Sequence, residues 1–140
     1  MALTGKRVLV VEDEALAAML LEDNLESLGC TVVGTAARLE AAEQQARSAA
    51  IDVATLDVNL AGQMSYPVAA ILRSRDIPFL FATGYSGNSL PVELRDAVVL
   101  TKPYSRDALA SALKRSLAEN AGPAPQKPDS APAADPTKSP

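Results

Sequence analysis

The chain has 140 residues, a formal net charge of −4, 48% hydrophobic and 21% charged residues, which suits one ordinary globular domain. No basic run is present to displace nucleic-acid counterions, no histidine is present for catalysis or metal ligation, and the single cysteine, Cys30, rules out an internal disulfide. No apolar run approaches the roughly 20 residues of a membrane span, and Met1 to Arg7 lead straight into a strand without a signal-peptide core, so the expected location is the cytoplasm.

Residues 6–12 read as the first strand. Helix 1 follows over about 14–28, with Leu16, Leu20, Leu21, Leu25 and Leu28 assigned to its buried side and Gly29 as the residue that ends it. Thr31 to Gly34 read as strand 2, with Cys30 a small residue at its start. Helix 2, about 38–49, is rich in Ala, Glu and Gln, which gives strong propensity and a weak apolar face. Ile51 to Asp57 form a short apolar run of the kind buried on both faces of a parallel sheet. A loop with Gly62 leads to helix 3, about 66–74, where Pro67 is tolerable only in the first turn. Strand 4 spans 77–82 and must keep Pro78 at its start.

Leu90 to Asp96 leave room for barely two turns of a fourth helix, so it is expected to be short or irregular. Strand 5 spans 97–101, and helix 5 runs from the N-cap Ser105 to about Glu119. Alternating strands and helices of this kind call for a parallel sheet with helices on both faces. The domain is therefore taken as 1–119. Six of the ten prolines lie beyond it, with no large aliphatic or aromatic residue to offset ordering entropy, so 120–140 reads as a disordered tail. The tail's charges cancel, which leaves the whole −4 on the domain.

The ends of these strands carry the chemistry. Glu12 and Asp13 end the first, Asp57 the third, Thr83 the fourth and Lys102 the fifth. In an open α/β sheet the crevice outside the strand carboxyl ends is where ligands bind. Any one of these residues alone would read as an ordinary strand-end side chain, and the acid pair alone as a favourable charge near a helix N-terminus. Together they make a site. Three clustered acids repel one another, and a hard divalent cation removes that cost. Mg²⁺ fits, because it takes oxygen ligands and commonly uses one or two carboxylates with a phosphate oxygen. Asp13 and Asp57 are expected as direct ligands, Glu12 through water, and the backbone carbonyl of Asn59 as a further oxygen. Asp57 is the candidate nucleophile, since a carboxylate can attack a phosphoryl group to give an aspartyl phosphate. Lys102 then supplies an ammonium and Thr83 a hydroxyl to the phosphoryl oxygens.

The acid pair Glu12-Asp13, the acceptor Asp57, Thr83 and Lys102-Pro103 resemble the receiver domain of bacterial two-component response regulators over about residues 5–119. The resemblance implies a flavodoxin-like, doubly wound (βα)5 fold with strand order 2-1-3-4-5. A narrower stretch, Pro78-Phe-Leu-Phe-Ala-Thr-Gly-Tyr85, is similar to the PFxFATGY motif of the FAT GUY group of single-domain response regulators, which work in stress-response phosphorelays with histidine kinases. Three features depart from the common receiver pattern: Ala61 where many receivers have Pro, Val99 in place of the strand-5 switch aromatic, and the short helix 4.

The resemblance implies a phosphorylation switch. A histidine kinase or phosphotransfer protein donates to Asp57, and the aspartyl phosphate changes what the surface binds. Because Val99 cannot act as the usual aromatic, Thr83 is expected to move Tyr85, with Phe81 or Tyr104 adjusting, while Lys102 does most of the phosphate sensing. Gly84 and Pro103 complete this switch set. The partner face expected from the family is helix 4, strand 5 and helix 5. Neither DNA nor membrane is an expected partner, and the unphosphorylated protein is expected to be a monomer. A phosphate sink and a phosphorylation-independent binding module are alternatives within the same fold. A haloacid-dehalogenase-type phosphohydrolase is a distant rival that shares the acceptor Asp, Mg²⁺, Thr and Lys. That family has a second acid two residues after the nucleophile, where this chain has Asn59, and it needs a cap for which this chain has no spare length.

Overall fold

The computed structural model describes residues 3–84 and 90–120. In chain order the elements are β1 (Arg7–Val11), α1 (Ala15–Ser27), β2 (Thr31–Ala36), α2 (Leu39–Ser48), β3 (Val53–Asp57), a small hairpin of β4 (Asn59–Leu60) and β5 (Gln63–Met64), α3 (Tyr66–Ser74), β6 (Phe79–Thr83), a 3₁₀ turn (Val92–Leu94), β7 (Val98–Thr101) and α4 (Arg106–Asn120). The five main strands form one parallel sheet in the order β2-β1-β3-β6-β7. This is the flavodoxin-like architecture and the 2-1-3-4-5 order expected from the sequence. The expected tail lies outside the described residues except for Asn120, which closes α4. Tyr85 also lies outside them.

Side chains of a strand alternate between the two faces of a sheet, and here they feed two cores. Leu9, Val11, Ala54, Leu56, Phe79 and Phe81 pack beneath α2, α3 and the 90–97 segment. Val8, Val10, Val53, Leu80, Ala82, Val98 and Leu100 pack beneath α1 and α4. The weak apolar face of α2 is real, with only Ala42 and Ala46 buried on that helix. Ser105 caps α4 as expected, its hydroxyl accepting the Ala108 N–H at 3.0 Å.

The expected third strand loses its first two residues. Asp52 still donates its backbone N–H to the Arg7 carbonyl at 2.8 Å, while its carboxylate accepts the Arg7 backbone N–H at 2.7 Å and the guanidinium at 3.0 and 2.9 Å. That hydrogen bonding holds the Asp52 carboxyl down at about 2. The fourth helix is reduced to the single 3₁₀ turn, in line with its length. Leu90 and Leu94 bury into the α2–α3 core. Arg73 on α3 ties the turn down, donating to the Glu93 carbonyl at 2.6 Å and to Asp96 at 2.8 Å while stacking on the Phe79 ring.

One expectation is corrected. Leu16 and Leu20 are not on the buried side of α1; they are 68% and 57% exposed. The buried stripe is Ala18, Leu21 and Leu25. At about 100° per residue, Leu20 and Leu16 lie roughly 100° and 140° round the helix from Leu21. With Met19, also exposed, they form an outward apolar face.

Candidate functional site

The sheet register brings the chemistry-bearing residues to one edge. Asp57 ends β3 level with Ala82, and Thr83 ends β6 level with Thr101. The next residue, Lys102, donates its backbone N–H to the Thr83 carbonyl at 2.9 Å, which extends the ladder by one step. Glu12 donates its N–H to the Ala36 carbonyl at 3.0 Å, which fixes the end of β1 in the same way. Asp13, Glu14, Asp57, Asn59, Thr83, Gly84 and Lys102 line one open hollow at this edge.

Lys102 is the hub. Its Nζ lies 2.8 Å from Glu12 Oε1 and 3.4 Å from Asp57 Oδ2. The other Glu12 oxygen accepts the Glu14 N–H at 3.2 Å. Glu12 is only 5% exposed, and those partners offset the cost of burying its polar oxygens. Burial pushes the Asp57 carboxyl up to about 6, helped by the Glu12 charge and opposed by Lys102. Burial alone would lower Lys102, but the Glu12 hydrogen bond and the two carboxylate charges outweigh it, so its pKa is raised. Burial also raises the Tyr104 phenol. The site thus holds one secure ammonium against more negative charge than it can balance.

Glu12, Asp13 and Asp57 can each offer an oxygen, and these three atoms lie within 4.8 Å of one another. An all-oxygen donor set with an under-compensated carboxylate fits a hard cation such as Mg²⁺. Both Glu12 oxygens are already engaged, which leaves Asp13 and Asp57 as the freer direct donors. Such a cation would supply positive charge for phosphoryl oxygens.

Of the expected switch residues, Phe81 is fully buried, with edge-on contacts to Tyr66 and Phe79 at centroid distances of 6.3 and 5.6 Å. Tyr104 packs against the α1–α4 core, across the sheet from Phe81. Pro103 follows a cis peptide bond after Lys102. The sequence did not reveal the β4–β5 hairpin. Its turn residue Ala61 donates a backbone N–H to Asp13 Oδ2 at 3.0 Å. Gly62 was the only available signal for it.

Residues 8–114 match the response regulator receiver domain family. The chain belongs to that family. It is 49% identical to SdrG from Sphingomonas melonis Fr1, whose solution structure superposes with a TM-score of 0.72 over 84% of this chain and 98% of that one. A BeF3-activated conformation of SdrG matches at 47% identity and a TM-score of 0.70, covering 81% and 98% of the two chains. A mutant PhyR from Bartonella quintana, described as an anti-anti-sigma factor, is 28% identical with a TM-score of 0.74, over 85% of this chain and 51% of that one. The phyllosphere-induced regulator PhyR of Methylorubrum extorquens is 31% identical over 79% of this chain and 43% of its own length. The chain thus spans about half the length of the curated relatives it matches. As a receiver domain, it belongs to a family of signalling modules rather than substrate-converting enzymes. No described helix is long and apolar enough to cross a membrane.

Proposed function

We propose that the protein is a cytoplasmic single-domain response regulator. It accepts a phosphoryl group on Asp57 from a histidine kinase or phosphotransfer protein and then changes its protein contacts. The observation that carries this reading is Lys102 spanning Glu12 and Asp57 at the strand ends. That ammonium is placed to leave a carboxylate for a phosphoryl oxygen. In the transfer the donor's N–P bond breaks as an Asp57 O–P bond forms, and the imidazole leaves. Asp13, Asp57 and the Asn59 backbone carbonyl would hold Mg²⁺, with Glu12 acting through water, and the cation would offset the phosphoryl charge. Thr83 gives its hydroxyl to the phosphoryl group. Lys102 carries the signal towards Tyr104 on one face of the sheet, and Thr83 carries it to Phe81 on the other. The Pro78–Tyr85 motif, with the likeness to SdrG and to a PhyR described as an anti-anti-sigma factor, supports a place in a stress-response phosphorelay.

The test is NMR of the labelled protein with Mg²⁺, before and after adding beryllofluoride, which mimics the aspartyl phosphate. Shifts centred on Asp57, Thr83 and Lys102 and spreading through residues 90–104 are expected. Shifts confined to the acid cluster would replace the switch by a phosphate sink. No shift with Mg²⁺ bound would overturn the acceptor role.

The phosphodonor needs a surface beside Asp57. Leu20 lines a groove with Glu12, Leu21, Lys102, Pro103 and Tyr104 that opens at the site. Ala17 and Asn24 extend its α1 wall. Leu20→Asp is expected to slow phosphotransfer from a histidine kinase roughly tenfold, the loss of about 1.5 kcal/mol of apolar burial. Phosphorylation by a small-molecule donor should be unchanged. Equal slowing with both donors would rule out docking on this groove.

A further inference from the structure

We propose that the β4–β5 hairpin is a positioning element for the cation site, with the Ala61 backbone N–H orienting Asp13. This rests on the reading of Asp13 as a Mg²⁺ ligand. Asp13 lies past the end of β1, on a connection that does not itself fix the side chain. Its carboxylate accepts the Ala61 N–H through Oδ2 at 3.0 Å. One oxygen is thereby anchored and the other is left to ligate. The acid supplied by one strand end is thus aimed by a loop that follows another.

The hairpin is built to hold that N–H in place. Asn59 pairs with Met64 and Leu60 with Gln63, which leaves Ala61 and Gly62 as a two-residue turn. Their φ values are 52° and 93°. Positive φ at both central residues is what a tight type I′ hairpin requires. The Gly62 N–H donates to Asn59 Oδ1 at 2.8 Å and closes the tip. The Ser65 N–H donates to the Val58 carbonyl at 2.8 Å and closes the base. Leu60, 1% exposed, roots the hairpin in the core.

Proline, which many receivers carry at the position of Ala61, cannot take this part. It has no N–H, and its ring locks φ near −65°. A non-glycine residue at positive φ is itself disfavoured, so the turn is held by its surroundings. The alanine here is therefore more than a neutral replacement. It permits a hairpin whose tip donates to a metal-site acid.

The experiment measures Mg²⁺ binding by calorimetry on the full chain for wild type, Ala61→Pro and Ala61→Gly. It also records the Ala61 amide by NMR, without Mg²⁺, in wild type and Asp13→Asn. Ala61→Pro is expected to bind Mg²⁺ roughly tenfold more weakly, as for loss of one hydrogen bond to a charged group. Ala61→Gly keeps the N–H and relieves the φ, and should bind within about twofold of wild type. Asp13→Asn should shift the Ala61 amide upfield and speed its exchange. Ala61→Pro binding as tightly as wild type overturns the proposal. So does Ala61→Gly binding as weakly as Ala61→Pro, which would trace the effect to turn stiffness. An Ala61 amide unmoved by Asp13→Asn overturns it even if Ala61→Pro fails to fold. Failure of the wild type itself to bind Mg²⁺ would instead remove the metal reading on which the proposal stands.

Discussion

Asp57→Asn is expected to abolish phosphoryl acceptance and, in the same molecule, to raise the stability of the metal-free protein at neutral pH. The first effect follows from loss of the nucleophilic carboxylate. The second follows from its surroundings. Burial and the Glu12 charge displace the Asp57 carboxyl from its ordinary 3.8 to about 6. The folded state therefore disfavours the charged form. Its contribution to stability is fully present below pH 3.8 and is lost as pH rises through about 6. A displacement of that size corresponds to up to about 3 kcal/mol. Thermal melts followed by circular dichroism, in chelator, should show Asp57→Asn above wild type at pH 8 and level with it near pH 3.5. Saturating Mg²⁺ should close the gap at pH 8, because a bound cation stabilises the wild type through its carboxylate. A wild type equal to Asp57→Asn in chelator at pH 8 would show that the acid cluster carries no unrelieved charge.

The same residues explain why so much of the candidate site is legible in the sequence. Glu12-Asp13, Asp57, Thr83 and Lys102 each follow a short apolar run, and a parallel sheet gathers the carboxyl ends of its strands at one edge. Strand periodicity also sends Phe79 and Phe81 to the same core. Less legible were features set by tertiary contacts. The first half of α1, Ala15 to Leu21, is apolar on nearly every side. Its own pattern therefore could not decide which leucines the sheet would cover, and Leu16 and Leu20 face outward. The β4–β5 hairpin has strands of two residues each, too short for any periodicity. Its turn places alanine where asparagine or aspartate usually stands. Asp52 reads as part of an apolar run, and its pairing with Arg7, a residue 45 positions away, could not be read from that run.

Lys102→Met is the second large effect expected, and it acts on both stability and signalling. Methionine keeps the stem's packing and removes the charge. Glu12, 5% exposed, then loses its ion pair at 2.8 Å. Asp57 loses the positive charge that opposes its upward displacement, so its carboxyl moves further up. Orphaning a buried charge costs about 3 kcal/mol, at the low end of the usual range because Lys102 is 29% exposed. In a domain of this size that lowers the melting temperature by roughly 10 °C. Asp57→Asn in the Lys102→Met background should recover more than it does alone, because residues in direct contact couple. In the signalling assay, beryllofluoride shifts in Lys102→Met should no longer reach Tyr104, while those passed by Thr83 to Phe81 remain. Tyr104 packs on the α1–α4 side of the sheet and lines the groove with Lys102. A shift pattern in Lys102→Met identical to wild type would move phosphate sensing from the lysine to Thr83, whose side of the sheet leads to Phe81 and the 90–97 segment.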